Sequence, residues 1–330
     1  MPEVPRLACA FPPSRDLPGL AAQAEALGYE RVWIYDSPAL YGDVWVAVAR
    51  VAEATETIGV ATGVAVGFLR HVMVTASAIA TIEELAPGRF TFAVGTGFTG
   101  ARAMGQKPMK WADLAEYFTQ LRALLRGDAV EVDGARARMI HSPGYAPPRP
   151  IDVPMLLAPM GPKGMAYARE LADGVIVASP PGTDEWDPCA LLCSGTMLDP
   201  GEDHASPRVI DTLASSYATG VHARWEFAPE ALSAIPGGAE WLADLEANYD
   251  ERDRHWAVHE GHMIAVSDRD RRIVAQAGPA ILQSGWTGDA ATVRARAVGA
   301  REGGVTELVY GPTGRDIVRE LASFAAAVGA

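Results

Sequence analysis

The sequence predicts a (β/α)8 barrel of the TIM type, an α/β fold built as one domain over residues 1–330 with insertions at about 181–206 and 229–282. Three observations predict it. Short apolar runs rich in Val, Ile and Ala alternate with helical patterns along most of the chain, as βα units do. Several of these runs are apolar at nearly every position, the habit of strands buried on both faces of a parallel sheet. Glycine-rich loop chemistry follows strands, at the C-terminal rim where such barrels carry their sites.

Taken in order, residues 4–10 form the first strand and 17–27 the first helix, which Gly28 ends as a C′ residue should. A strand over 31–35 and a helix over 43–54 follow. The third strand, 58–64, is β-branched or small throughout. The helix over 72–85 carries apolar residues at Val74, Ala78, Ile82 and Leu85, and stops at Ala86-Pro87-Gly88, where Pro cannot continue it and Gly accepts a positive φ. Strand 89–94 runs into Gly95-Thr96-Gly97-Phe98-Thr99-Gly100, a loop whose backbone N–H groups can approach a ligand closely. After helix 111–125 comes a hairpin over 130–139 that turns at Asp133-Gly134. A Pro-rich link, 143–154, interrupts the rhythm, and strand 155–158, helix 164–171 and strand 174–178 resume it. Residues 181–206 are rich in Pro, Gly and Asp and read as a long loop, with a strand expected near 209–217. Helices near 238–249 and 268–282 form the second insertion. Helix 290–302, strand 306–310 and helix 315–328 complete about eight βα units.

Composition narrows the function. The net charge of −13, from 28 basic and 41 acidic side chains, argues against nucleic acid or anionic lipid as a partner. No apolar run reaches membrane-spanning length, so no membrane association is expected. Cys9, Cys189 and Cys193 lack C-x-x-C spacing and are expected as reduced thiols. The start has no charged stretch followed by an apolar segment to direct export, so a cytoplasmic location is expected.

Two motifs invite chemistry. Gly95, Gly97 and Gly100 fit G-x-G-x-x-G, and equally an ordinary tight strand-to-helix turn. No acidic residue closes a second strand about 20 residues later, so the dinucleotide reading is set aside. His255, His259 and His262 would share one face of a helix, which raises metal ligation. Gly261 weakens a helix there and H-E-x-x-H spacing is missing, so no metal is expected and the histidines read as pocket-lining or structural.

Several segments in order and spacing carry a family resemblance: Tyr29-Glu30-Arg31-Val32-Trp33-Ile34-Tyr35-Asp36; Thr62-Gly63-Val64 with Arg70-His71 downstream; Ala86-Pro87-Gly88-Arg89 leading into Val94-Gly95-Thr96-Gly97; and Pro159-Met160-Gly161-Pro162-Lys163 followed by Leu171-Ala172-Asp173-Gly174-Val175. On these the chain resembles the bacterial luciferase-like superfamily, especially the methylenetetrahydromethanopterin reductases and related oxidoreductases that use coenzyme F420, a 5-deazaflavin. The resemblance implies that the ring lies over the end of strand three, where relatives have a non-prolyl cis peptide, here Gly63–Val64. It places Gly95-Thr96-Gly97 beside the ring and ribityl chain, and Met160-Gly161-Pro162-Lys163 around the phosphate. The last segment has independent support: Gly161 permits close approach, Pro162 suits a first helical turn, and a helix N-terminus attracts anions.

The resemblance implies hydride transfer between coenzyme F420 and a small organic substrate. The alternative is an FMN-dependent monooxygenase that uses reduced flavin and O2. A third possibility is a barrel that merely carries flavin or binds no cofactor. In the sugar-phosphate dehydrogenases of the deazaflavin branch a catalytic Glu follows the Gly loop, and Phe98 stands there in this chain. The candidate catalytic groups are therefore Asp36, at a strand end, and His262, in the insertion; Asp36 could equally cap the turn before Ser37-Pro38. Phe68, Phe98, Trp45 and Trp186 are candidate walls of the substrate pocket. Arg70, Arg102, Lys107, Lys110 and Lys163 are candidate cations for a polyanionic cofactor tail. Relatives pair through helices two and three, here 43–54 and 72–85, so a homodimer is expected, and a reductase supplying reduced flavin or F420 is the other expected protein partner.

Overall fold

The computed structural model describes residues 3–329. Among them, eight parallel strands close a barrel: β1 (Arg6–Phe11), β2 (Arg31–Ile34), β3 (Gly59–Thr62), β4 (Phe90–Gly95), β5 (Met155–Leu157), β6 (Gly174–Val177), β7 (Cys189–Cys193) and β8 (Glu307–Tyr310). Each pairs with its neighbour in sequence, and β8 closes the ring on β1 from Arg6↔Glu307 to Cys9↔Tyr310. β3 pairs with β4 at Val60↔Phe90 and Ala61↔Thr91. It then breaks at Gly63–Val64, a cis peptide bond as the resemblance implies, and Ala65–Val66 rejoins β4 at Val94 and Gly95.

The helices are α1 (Leu17–Ala26), α2 (Val44–Ala54), α3 (Val72–Leu85), α4 (Phe98–Arg102), α5 (Trp111–Arg126), α6 (Gly161–Leu171), α7 (Pro207–Phe227), α8 (Gly238–Asn248), α9 (Arg254–His259), α10 (Asp268–Gln276), α11 (Ala290–Glu302) and α12 (Ile317–Val328). Their starts and stops follow side-chain chemistry. Asp43 caps α2 by accepting from the Trp45 and Val46 N–H groups, and α5 ends on Gly127 in the left-handed region. None of the described helices is long and apolar enough to cross a membrane.

Two cores hold the barrel. The larger lies between strands and helices, and the smaller fills the barrel itself. In the latter Ala8, Ala10, Ala61, Ala93 and Ala190 leave room for the fully buried Trp33, whose Nε1 donates to Glu307 Oε1 at 2.7 Å. Arg31 pairs with the other oxygen of Glu307, so the buried carboxylate is matched.

The C-terminal half departs from the expected element order. The seventh strand is Cys189–Cys193, inside the stretch read as a loop, and the strand expected near 209–217 belongs instead to the 21-residue helix α7. Val209, Thr212, Leu213, Ala218, Val221 and His222 are buried there, at helical and not alternating spacing. The expected helix 268–282 ends at Gln276, because Gly278-Pro279 opens a separate 3-10 turn. The insertion has its own apolar cluster, in which Trp241 and Leu245 of α8 meet Val258 of α9 and Ile273 of α10.

Candidate active site

At the C-terminal rim the ends of β2, β3, β4, β5 and β7 surround a cavity of about 250 Å³. Six of the nine residues expected at a cofactor line it: Gly63, Val64, Gly95, Thr96, Gly97 and Met160. Gly161, Pro162 and Lys163 continue from Met160 into α6, whose first turn has no side-chain cap and no acidic residue among the described residues, so its N–H groups and positive end can meet an anion.

Gly97 shows why the loop needs glycine. Its φ is +79°, and a Cβ there would lie 2.3 Å from Val66 Cγ1. A Cβ at Gly63 would lie 2.9 Å from Trp33 Cβ, and one at Gly95 3.0 Å from Val64 Cγ2. The glycines thus let the broken third strand pack directly against β2 and against the Gly loop, and with Ala65–Val66 paired to Val94–Gly95 these segments form one continuous wall of the cavity, a slot along the rim.

Asp36 and His262, the expected catalytic groups, both line the cavity. The Asp36 carboxylate accepts from Arg70 Nη1 at 2.7 Å, from Arg70 Nη2 at 3.3 Å and from the Val66 N–H at 3.0 Å. Burial pushes its pKa above the usual carboxylate range, while Arg70 and the Val66 N–H pull it back. It thus braces residues 66–70 against the end of β2. His262 packs against His222 and His259, with ring centroids 5.8 and 5.6 Å away, and its Nδ1 is buried without a partner among the described residues. Burial, with the neighbouring imidazoles, pushes it down to about 3. Its ring is neutral at ordinary pH.

The expected substrate walls divide. Phe98 lines the cavity and is fixed by a stack on Phe227 at 4.9 Å and by Arg102 over its face at 5.3 Å. Phe68 instead backs the loop, 3.3 Å from the Cβ position of Gly97. Trp186 is corrected outright: it is buried in the outer core just before β7, at the N-terminal end of the barrel and away from the rim. Trp45 is likewise an outer-layer residue, packed on Phe90 and Phe92.

The expected cation cluster is smaller than the sequence implied. Arg70 is spent on Asp36 and Asp43, and Arg102 pairs with Glu226 at 3.2 Å. Lys107, Lys110 and Lys163 stay exposed. Lys110 immediately precedes α5, whose Trp111 stacks on Tyr167 of α6, so Lys110 and Lys163 flank the same part of the rim. Tyr35, Ser37, Tyr41, Leu192 and Met263 also line the cavity and were missed from sequence. The strand-end rule reached Asp36 but stopped one residue after Tyr35. Leu192 was hidden with β7, and no local signal placed the turn carrying Met263 over the barrel.

The family model described as luciferase-like monooxygenase matches residues 5–186. A 5,10-methylenetetrahydromethanopterin reductase of Methanolobus tindarius is 32% identical over 168 residues, 48% of this chain and 48% of its own. An F420-dependent glucose-6-phosphate dehydrogenase of Beutenbergia cavernae is 31% identical over 191 residues, 52% of this chain and 54% of its own. The chain thus spans about half the length of the curated relatives it matches. Among solved structures, the coenzyme F420 dependent tetrahydromethanopterin reductase of Methanopyrus kandleri superposes over 99% of this chain and 98% of its own, with TM-score 0.65 and 18% identity, a likeness of fold alone.

Proposed function

Since this chain belongs to the luciferase-like monooxygenase family, we propose that it is an oxidoreductase that transfers hydride between coenzyme F420 and a small organic substrate. The observation that carries this reading is the slot itself: the broken third strand and the glycine loop pack side by side as one glycine-rich wall of a rim cavity, and Met160, just before the uncapped start of α6, lines the same cavity. A flat tricyclic ring laid on that wall, with its phosphate-bearing chain reaching the helix start, suits the arrangement. The names of the two relatives favour the deazaflavin.

In this reading Gly63, Val64 and Gly95 to Gly97 hold the ring, and Met160 to Lys163 hold the phosphate through the α6 N-terminus. Lys110 and Lys163 meet negative charge further out. When bound, the deazaflavin supplies two-electron hydride chemistry. The protein supplies orientation and exclusion of water: Asp36 and Arg70 fix one wall, and the turn carrying neutral His262 closes the top. We further propose a homodimer through α2 and α3, which present the exposed Val46 and Val74. FMN-dependent monooxygenation, with reduced flavin from a partner reductase, is the second reading; the description of the family favours it.

Titrating the purified protein with coenzyme F420 and with FMN, each oxidised and reduced, and following tryptophan quenching tests the assignment. Tight binding of the deazaflavin alone is expected. Preference for FMN would move the assignment to monooxygenation, and binding of neither would remove the cofactor from this barrel.

A further inference from the structure

A second cavity of about 170 Å³ opens beside the first, between the ends of β1 and β8 and the start of α12. Tyr35 and Met263 line both cavities, so they form the partition between them. The walls of the second come from residues such as Phe11, Leu20, Ile264, Pro312 and Ile317, and among the described residues no Asp, Glu, Lys, Arg or His lines it.

Its polar side chains among the described residues are three hydroxyls. Thr313 Oγ1 donates to the Thr212 carbonyl at 2.6 Å, and Ser14 is exposed to solvent. The third is Tyr35. Its hydroxyl has no hydrogen-bond partner among the described residues and points toward Gly311, 3.0 Å from the Cβ position there. An unpaired donor facing an apolar void at the edge of a cofactor slot marks a place for an acceptor.

We propose that this second cavity is the substrate subsite, that it takes a neutral apolar organic group about the size of one six-membered ring, and that the Tyr35 hydroxyl donates a hydrogen bond to a carbonyl-type oxygen on it. The inference rests on reading the larger cavity as the cofactor site. Phosphorylated and carboxylated compounds are excluded as occupants, since burying their charge against uncharged walls carries a penalty of several kcal/mol. The Met263 side chain, flexible and polarizable, lets the partition adapt to the occupant.

The test uses cofactor-free protein, with cyclohexanone as probe and glucose 6-phosphate as the dianionic comparison, read by saturation-transfer NMR and isothermal titration. Cyclohexanone is expected to bind and glucose 6-phosphate not to. Tyr35→Phe keeps the ring and removes the donor, and should weaken cyclohexanone about three- to tenfold. Ile317→Trp fills the cavity and should abolish saturation transfer while leaving cofactor quenching unchanged; circular dichroism checks its fold, and Tyr35→Phe carries the test if it fails to fold. No saturation transfer to cyclohexanone, equal binding of the sugar phosphate, or an unchanged constant in Tyr35→Phe overturns the proposal. Failure of both FMN and F420 to quench would remove the cofactor assignment and leave the cyclohexanone result to stand by itself.

Discussion

Replacing Gly97 by alanine tests whether the glycine loop is closed by packing or only by backbone conformation. Two costs are expected. The left-handed φ of +79° costs a Cβ-bearing residue about 1–2 kcal/mol. The new Cβ would also lie 2.3 Å from Val66 Cγ1 and 3.3 Å from Phe68 Cε1, and relieving such overpacking costs about 1–3 kcal/mol more. Gly97→Ala should therefore destabilise the protein by about 2–5 kcal/mol in urea unfolding followed by tryptophan fluorescence. Gly88→Ala is the control, since Gly88 also has a positive φ, +70°, but no described atom lies within 4 Å of its Cβ position; it should cost only the backbone part, about 1–2 kcal/mol. The difference isolates the contact with Val66. Adding Val66→Ala to Gly97→Ala removes both offending methyls and should restore part of that difference as a favourable coupling in the double-mutant cycle. Cofactor quenching should weaken with Gly97→Ala and stay unchanged with Gly88→Ala. Equal losses for the two single variants, together with unchanged quenching in both, would refute the view that the slot depends on close approach of Val66 to the loop.

Three further outcomes follow from the geometry. Asp36→Asn leaves Arg70 with only Asp43 and should cost about 3 kcal/mol, measured by urea unfolding, with weaker cofactor binding because residues 66–70 lose their brace. His262 binds its proton at about 3 in the folded protein and near its ordinary 6.5 when unfolded. The unfolded chain thus holds more protons between those values, and stability should fall as pH drops below about 6.5 by up to roughly 1.4 kcal/mol per pH unit. His262→Gln should flatten that part of the profile of urea midpoints against pH. Trp186→Ala should cost about 3–5 kcal/mol by emptying a buried site, yet leave the cofactor constants unchanged, since the indole lies in the outer core.

How much of this was legible in the sequence follows from how local each feature is. The strands up to Gly174–Val177 are short apolar runs ended by their own Gly or Pro, and the loop from Gly95 to Gly97 and the start of α6 sit within a few residues of those strands. Composition therefore revealed both the barrel and the slot. β7 was lost because Cys189-Ala-Leu-Leu-Cys193 is neither β-branched nor alternating and stands among Pro, Gly and Asp. The opening of α7 imitated a strand, since Val209, Ile210 and Tyr217 favour extended structure until their burial reveals a helical face. Trp186 misled because an aromatic in a Pro-rich loop reads as rim, whereas the chain there is already entering β7 from the opposite end. The commitment of Asp36 to Arg70 depends on how β3 breaks, which no spacing rule encodes.

The division of labour along the chain accounts for the pattern of similarity. The family model ends at residue 186, after the strands and loops that form most of the larger cavity. What lies beyond supplies the roof: the Tyr41 hydroxyl donates to the His262 carbonyl at 2.6 Å, and the turn that follows carries Met263 and Ile264 over the second cavity. That turn is supported from behind by His222 and His259 packed on His262, and His222 is held in turn by Asp270, 3.2 Å from its Nε2. A change in the insertion can therefore reshape the smaller cavity through Met263 and Ile264 without disturbing the glycine wall of the slot. The two cavities thus differ in origin: the glycine wall lies wholly within the matched residues 5–186, whereas the smaller cavity joins Phe11, Leu20 and Tyr35 from that stretch to Met263, Ile264 and Ile317 from beyond it, so its shape depends on both parts of the chain.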